Sequence, residues 1–179
     1  MQSSVVHYFA YGSNLHPLRL KERIPFAHLI GAVKHSSQKL HFHKKGADGS
    51  GKCNLVKTDD RTANVYGALY SLRPQDKTTL DKIEGKGYGY SDHQIRLQLN
   101  NTRYTCFTYL AQHSHIIDNL PPYHWYKKLV ILGTEYLEFP EAYINSIKDI
   151  ESVQDPDLAR RRLNANLVER IAKWSQHSL

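Results

Sequence analysis

The run VVHYFAYGSNL, Val5 to Leu15, decides how the rest of the chain is read. Val5 to Ala10 is a short apolar stretch of β-favouring residues, and it ends in the turn formers Tyr11-Gly12-Ser13-Asn14. That pattern predicts a buried strand breaking into a turn. A helix should follow, because Pro17 suits a first helical turn and Leu15, Leu18 and Leu20 give it an apolar side before Pro25 closes it.

Outward from this run, six more segments read as strands: Leu29 to Val33, Lys39 to Phe42, Cys53 to Val56, Val65 to Leu72, His93 to Leu99 and Tyr104 to Leu110. Several alternate apolar and polar residues with the two-residue period of a half-buried sheet. Pro74 to Ile83 has helical spacing, with Leu80 and Ile83 on one side, and stops at Gly85, the residue type expected just past a helix. Glu84 therefore falls at a helix end. After Pro121-Pro122 the pattern turns helical over Tyr123 to Leu132, Glu141 to Ile150 and Pro156 to Trp174, the last carrying Leu163, Leu167, Ile171 and Trp174 at helical spacing. Strands first and helices later predict an α+β fold, a small mixed β-barrel or curled sheet of about six or seven strands with helices packed outside. With neither repeats nor a low-complexity linker, residues 1–179 read as one domain with a C-terminal helical extension from about Pro156.

The chain has 179 residues, 40% of them hydrophobic and 12 of them Tyr, enough apolar material for a core. It contains no long apolar run of membrane-spanning type, and Met1 to Ser4 followed by Val5 to Ala10 lacks the parts of a signal peptide. A cytoplasmic protein is the expectation. Cys53 and Cys106 stand far apart with no CxxC pair, so they read as reduced structural thiols. The formal net charge of +7 would attract an anionic partner, either nucleic acid or a small carboxylate, and does not choose between them.

Several motifs compete for a chemical reading. Gly46 to Cys53 (GADGSGKC) has phosphate-loop spacing, but Cys53 stands where a magnesium-binding hydroxyl belongs, and the segment joins two strands rather than a strand and a helix. It reads as a flexible hairpin loop. His41 with His43 and His113 with His115 could each offer two metal ligands, and a third ligand has no evident candidate, so surface histidines and no metal are expected. No GxSxG elbow is present. Arg160-Arg161-Arg162, with Lys173 beyond, could meet a phosphate backbone, yet no aromatic residues interleave to stack bases. A solvated helix face is the simpler reading, and nucleic acid is not the expected partner.

Two features stay unexplained by composition: YFAYGSNL (Tyr8 to Leu15) and LDKIEGKGYGY (Leu80 to Tyr90), a lone carboxylate among glycines. Together they resemble the γ-glutamyl cyclotransferase family, the first its N-terminal substrate loop and the second its catalytic glutamate segment. VYGALYSL (Val65 to Leu72) resembles the strand before the catalytic helix, and YKKLVILG (Tyr126 to Gly133) the later segment with a substrate tyrosine. The segments occur in matching order from Tyr8 to about Ile150. The resemblance implies that Tyr8, Phe9, Ala10, Tyr11, Gly12 and Ser13, with Asn14 and Leu15, shape a pocket and aim backbone N–H groups at a small γ-glutamyl substrate. It implies Glu84 as general acid/base, Tyr126 as a residue that reaches the substrate, and Tyr90 as one that holds its carboxylate or orients Glu84. The long helix from Pro156 and the pair Lys82-Ile83 depart from the family pattern. A homodimer is implied as well, with the apolar side of the last helix as a contact; a monomer that buries that helix itself is equally economical.

The chemistry fits these residue types. In a γ-glutamyl compound the α-amine and the γ-carbonyl carbon belong to one molecule, so ring closure to 5-oxoproline needs no enzyme nucleophile, and intramolecular attack carries effective molarities on the order of 10⁵ to 10⁸ M. One carboxylate can take the proton from the α-ammonium and return it to the leaving amine, and an apolar pocket around it would suit that shuttle. Fixed N–H donors in the Gly-Ser-Asn turn could stabilise the oxyanion. No metal or cofactor enters. A related expectation is a γ-glutamyl cyclotransferase specific for glutathione or another metabolite, and the rival of another class is a non-catalytic, positively charged binding module on the same fold.

Overall fold

A computed structural model of the chain describes residues 5–177. Met1 to Ser4, which bear on the expected lack of a signal peptide, lie outside the described residues. Seven strands and five α-helices follow one another: β1 (Val6–Ala10), α1 (Pro17–Arg23), β2 (His28–Ser36), β3 (Gln38–Lys45), β4 (Gly51–Lys57), β5 (Asn64–Leu72), α2 (Pro74–Glu84), β6 (Tyr90–Leu99), β7 (Thr102–Ala111), α3 (His124–Tyr136), α4 (Glu141–Lys148) and α5 (Leu158–His177). Each expected strand and helix is found, with ends moved by a few residues.

Five strands form one sheet in the order β2-β5-β1-β7-β6, and β3 with β4 forms a separate ribbon. The sheet is mixed: β1 runs antiparallel to β5, with Tyr8 opposite Tyr70, and parallel to β7, with Tyr8 opposite Phe107. β1 is the middle strand of the five, paired on both edges. Phe9 and Ala10 are fully buried, consistent with its unbroken apolar run. The sheet curls without closing. Its outer strands β2 and β6 come close enough that a Cβ on Gly31 would sit 3.1 Å from Leu99 Cδ2, yet no ladder joins them.

Helix α2 begins at Pro74 and ends at Gly85, whose φ of 68° is the left-handed cap that glycine adopts at least cost. Leu80, fully buried, pins α2 to the sheet and contributes about 2 kcal/mol by leaving water. That anchor sets the position of Glu84 one turn later. Leu167 and Ile171 of α5 bury against Leu129 and Leu132 of α3, so this much of the last helix's apolar side is spent within the chain. Among the described residues no helix is long and apolar enough to cross a membrane.

Candidate active site

The end of β1 delivers Tyr11 to Asn14 into a cleft that is also lined by Tyr8, Cys53, Glu84, Tyr90, Tyr109 and Tyr126. The turn closes with Leu15 N–H donating to Gly12 O at 3.0 Å, and the Tyr70 hydroxyl holds Leu15 O at 2.7 Å. A Cβ at residue 12 would lie 3.0 Å from Cys53 Cβ and 3.4 Å from the Tyr126 hydroxyl, so glycine lets the turn press against the β3–β4 ribbon and α3. Among the described residues the N–H groups of Gly12, Ser13 and Asn14 have no protein acceptor. Successive free N–H groups on one turn form an anion-binding concavity.

Glu84 is the last residue of α2, where the helix presents partial negative charge, so a carboxylate there calls for a cation. Arg23, at the end of α1, supplies it. Its Nη1 donates to Glu84 Oε1 at 2.9 Å and to Asn14 Oδ1 at 3.1 Å. Asn14 Nδ2 donates to the same Oε1 at 3.0 Å and to the Tyr8 hydroxyl at 3.2 Å. Oε1 thus accepts two bonds, and Oε2 is left for a ligand. These surroundings differ from the apolar pocket expected: Glu84 is oriented by an amide from the turn itself and by an ion pair with the end of α1. Arg19, one turn before Arg23, is lowered to about 10 by burial and then by the charge of Arg23.

The tyrosines divide by where their protons go. Tyr90 donates to Cys53 O at 2.6 Å, Tyr109 donates to Asp81 Oδ1 at 2.7 Å, and Tyr11 donates to Tyr109 O. Tyr126 instead accepts from Cys53 N–H at 3.1 Å, and Tyr8 accepts from Asn14. Of these five, only Tyr8 and Tyr126 give their hydroxyl proton to no oxygen of the protein; that of Tyr126 faces the weakly accepting Cys53 thiol and can turn to a ligand. Burial pushes all five phenols up, so each stays protonated. Burial likewise pushes the Cys53 thiol up to about 12, which removes it as a thiolate nucleophile.

The Gly46–Cys53 segment is a hairpin loop, as expected, but it is firmly tied. Lys52 Nζ bonds Asp48 Oδ2 at 2.6 Å and Ser50 Oγ at 2.8 Å, and lies 4.8 Å and 4.5 Å from the rings of Trp125 and Tyr126. The Tyr123 hydroxyl donates to Asp48 O at 3.0 Å. The lysine of the phosphate-like motif is therefore a clamp that fixes Cys53 against α3. Arg160 also departs from the solvated face expected of the arginine run, because it forks onto the buried carboxylate of Asp155 at 2.6 and 2.7 Å. His41 and His43 stack at 5.0 Å, and among the described residues no three His, Cys, Asp or Glu side chains cluster as a metal site.

Of the residues singled out in the sequence, Tyr8, Tyr11, Gly12, Ser13, Asn14, Glu84, Tyr90 and Tyr126 meet in this cleft. Phe9 and Ala10 do not line it; they are buried in β1 and serve as its backing. Arg23, Cys53 and Tyr109 were missed. A basic residue in the last turn of a short helix, a lone cysteine and an alternating tyrosine in a strand each carry an ordinary structural meaning, and only tertiary contact distinguishes them.

A model of the AIG2-like family matches residues 64–147. A protein named gamma-glutamylcyclotransferase from Homo sapiens is 27% identical over 149 residues, and one of the same name from Mus musculus is 28% identical over 149; each alignment spans 80% of this chain and 78% of the relative. A solved structure named gamma-glutamyl cyclotransferase superposes with a TM-score of 0.81 at 22% identity, covering 93% of this chain and 99% of the other. A human protein described as uncharacterized superposes with a TM-score of 0.77 at 22% identity, covering 92% and 98%. The structural likenesses speak for the fold.

Proposed function

We propose that the chain is a member of the γ-glutamylcyclotransferase family, to which the names of its relatives point, and that it converts a γ-glutamyl amino acid or amine to 5-oxoproline and the free amino acid or amine, with Glu84 as general acid/base. The observation that carries this reading is the pairing, in one cleft, of a carboxylate held through Oε1 by Arg23 and Asn14 with three free N–H groups on the neighbouring turn.

Glu84 Oε2 takes a proton from the substrate's α-ammonium, and the freed amine attacks the γ-carbonyl carbon. The C=O electron pair moves onto oxygen, where the N–H groups of Gly12 to Asn14 meet it. As the carbonyl re-forms, the bond to the leaving nitrogen breaks and Glu84 returns its proton there; the second proton of the attacking nitrogen then passes through the same carboxylate to the released amine, which leaves as an ammonium ion and the ring as a neutral lactam. Protons balance over the cycle, and nothing is oxidised or reduced. Tyr126 and Tyr8, with protons to give, hold the substrate's oxygens.

Incubation with γ-glutamyl-alanine, γ-glutamyl-amines and glutathione, followed by mass spectrometry, tests the reaction. We expect 5-oxoproline and free amine in equal amounts from at least one class; a folded protein that forms none from any of them would refute the assignment. Two tyrosine variants test the division of hydroxyl protons. Tyr126→Phe removes a proton that a substrate can use and should raise KM about tenfold, as for one hydrogen bond. Tyr90→Phe removes a proton already given to Cys53 O and should lower stability by about 1 kcal/mol with a smaller effect on KM. Equal kinetic losses in the two variants would contradict that division.

A further inference from the structure

Lys44, in β3, is only 7% exposed. Among the described residues its ammonium takes part in neither a hydrogen bond nor an ion pair, and it rests over the ring of Tyr90 at 4.5 Å. The stem of the side chain is covered while Nζ keeps contact with solvent, so the ammonium stands at the edge of its burial with one aromatic face beside it. Arg23, by contrast, pairs with Glu84, and Lys52 pairs with Asp48. Lys44 sits beside the cleft, since Tyr90 is one of its walls. It lies directly beneath Gly89: a Cβ there would fall 2.9 Å from Nζ, and 3.2 Å from His115 Cδ2. Gly89, at φ 107°, thus keeps a side chain out of the space over the ammonium. Burial lowers the affinity of Lys44 for its proton, and the charge of Glu84 acts in the opposite sense.

Resting on the cyclotransferase reading, we infer that Lys44, with Tyr90 and Gly89, forms the subsite for a carboxylate on the leaving group, which makes Lys44 the residue that selects γ-glutamyl amino acids and peptides over γ-glutamyl amines. The assignment of ends follows from the substrate's connectivity. The α-amine and the α-carboxylate sit on one carbon, so once Glu84 takes the proton from that amine, the α-carboxylate lies at the same end, where Arg23 and Arg19 already supply cations. The γ-carbonyl oxygen goes to the Gly12–Asn14 turn. The substituent on the leaving nitrogen is what remains for the far side of the cleft. There the hydroxyl of Tyr90 is committed to Cys53 O, and Lys44 is the group left to meet a negative charge.

The test compares two substrates of nearly equal shape, γ-glutamyl-alanine and γ-glutamyl-isopropylamine, which differ by a carboxylate in place of a methyl group. The readout is the ratio of their kcat/KM values for wild type, Lys44→Met and Lys44→Arg. Wild type should favour the alanine compound, and Lys44→Met should lower the ratio about thirtyfold, the range of a hydrogen bond to a charged group. Lys44→Arg should keep most of the preference, which a merely structural role for the side chain would not require. A wild-type ratio near one, or a ratio that Lys44→Met leaves unchanged whatever the absolute rates, overturns the inference while leaving the cyclotransferase reading intact. Absence of 5-oxoproline from both substrates with wild type would instead sink that reading, and this inference with it.

Discussion

Glu84→Gln should reduce kcat for 5-oxoproline formation by about a thousandfold, within the range of a positioned acid/base group, while the protein stays folded. The substitution preserves shape and can still present an oxygen to Arg23 and Asn14, which now hold Oε1 at 2.9 and 3.0 Å. It removes the ability to carry a proton. Because the ring-closing amine is part of the substrate, the variant should still bind substrate, so KM should change much less than kcat. Stopped assays with isotope-labelled γ-glutamyl-alanine would resolve the residual rate, and circular dichroism with a thermal melt would verify the fold. Activity within threefold of wild type would remove Glu84 from the proton transfers.

The second large effect concerns stability and lies far from the chemistry in sequence. Asp155 has a fully buried side chain whose two oxygens accept four bonds: from Arg160 Nη2 at 2.6 Å and Nε at 2.7 Å, from Trp125 Nε1 at 2.9 Å and from Asp157 N–H at 2.9 Å. Asp155→Ala strands the guanidinium of Arg160 and the indole of Trp125 in half-buried positions and should cost about 3 kcal/mol. For a chain of this size that corresponds to a fall in Tm of roughly 6–12 °C. Arg160, first among several donors, holds the Asp155 carboxyl down to about 2 from an ordinary 3.8. A depressed carboxylate stabilises the fold above its ordinary value and loses that contribution as pH falls through about 2. The gap in Tm between wild type and Asp155→Ala should therefore be full above pH 4 and shrink as pH is lowered toward 2. A constant gap across that window would mean that the charge of Asp155 is not what fastens α5.

Much of this architecture was legible because its signals are local. The apolar run before Tyr11-Gly12-Ser13-Asn14, the alternation in Val65 to Leu72 and the glycine stop after Glu84 each depend on a few neighbouring residues. The pairing of strands was not legible in the same way: nothing in either segment announces that β1 lies parallel to β7. The site divides likewise. Glu84 and the turn could be singled out because a carboxylate among glycines and a strand ending in Gly-Ser-Asn are locally odd. Arg23 and Lys44 look like any basic residue of a helix end or a strand, and only the folded chain shows that one is paired with Glu84 and that the other, mostly covered, holds its ammonium over the ring of Tyr90. Lys52 drew notice for the wrong reason, since its glycine-rich setting suggests phosphate while its contacts are Asp48 and aromatic rings.

The parallel pairing of Tyr8 with Phe107 has a consequence for how the protein is made. A ribosome adds roughly 5–20 residues per second, so the first strand waits roughly 5–20 s after its own synthesis before its second neighbour exists. Through that interval an apolar, β-prone segment near the amino terminus has an open edge that any other nascent chain could capture. The segment that lines the cleft in the finished molecule is thus, during translation, the one most in need of a chaperone.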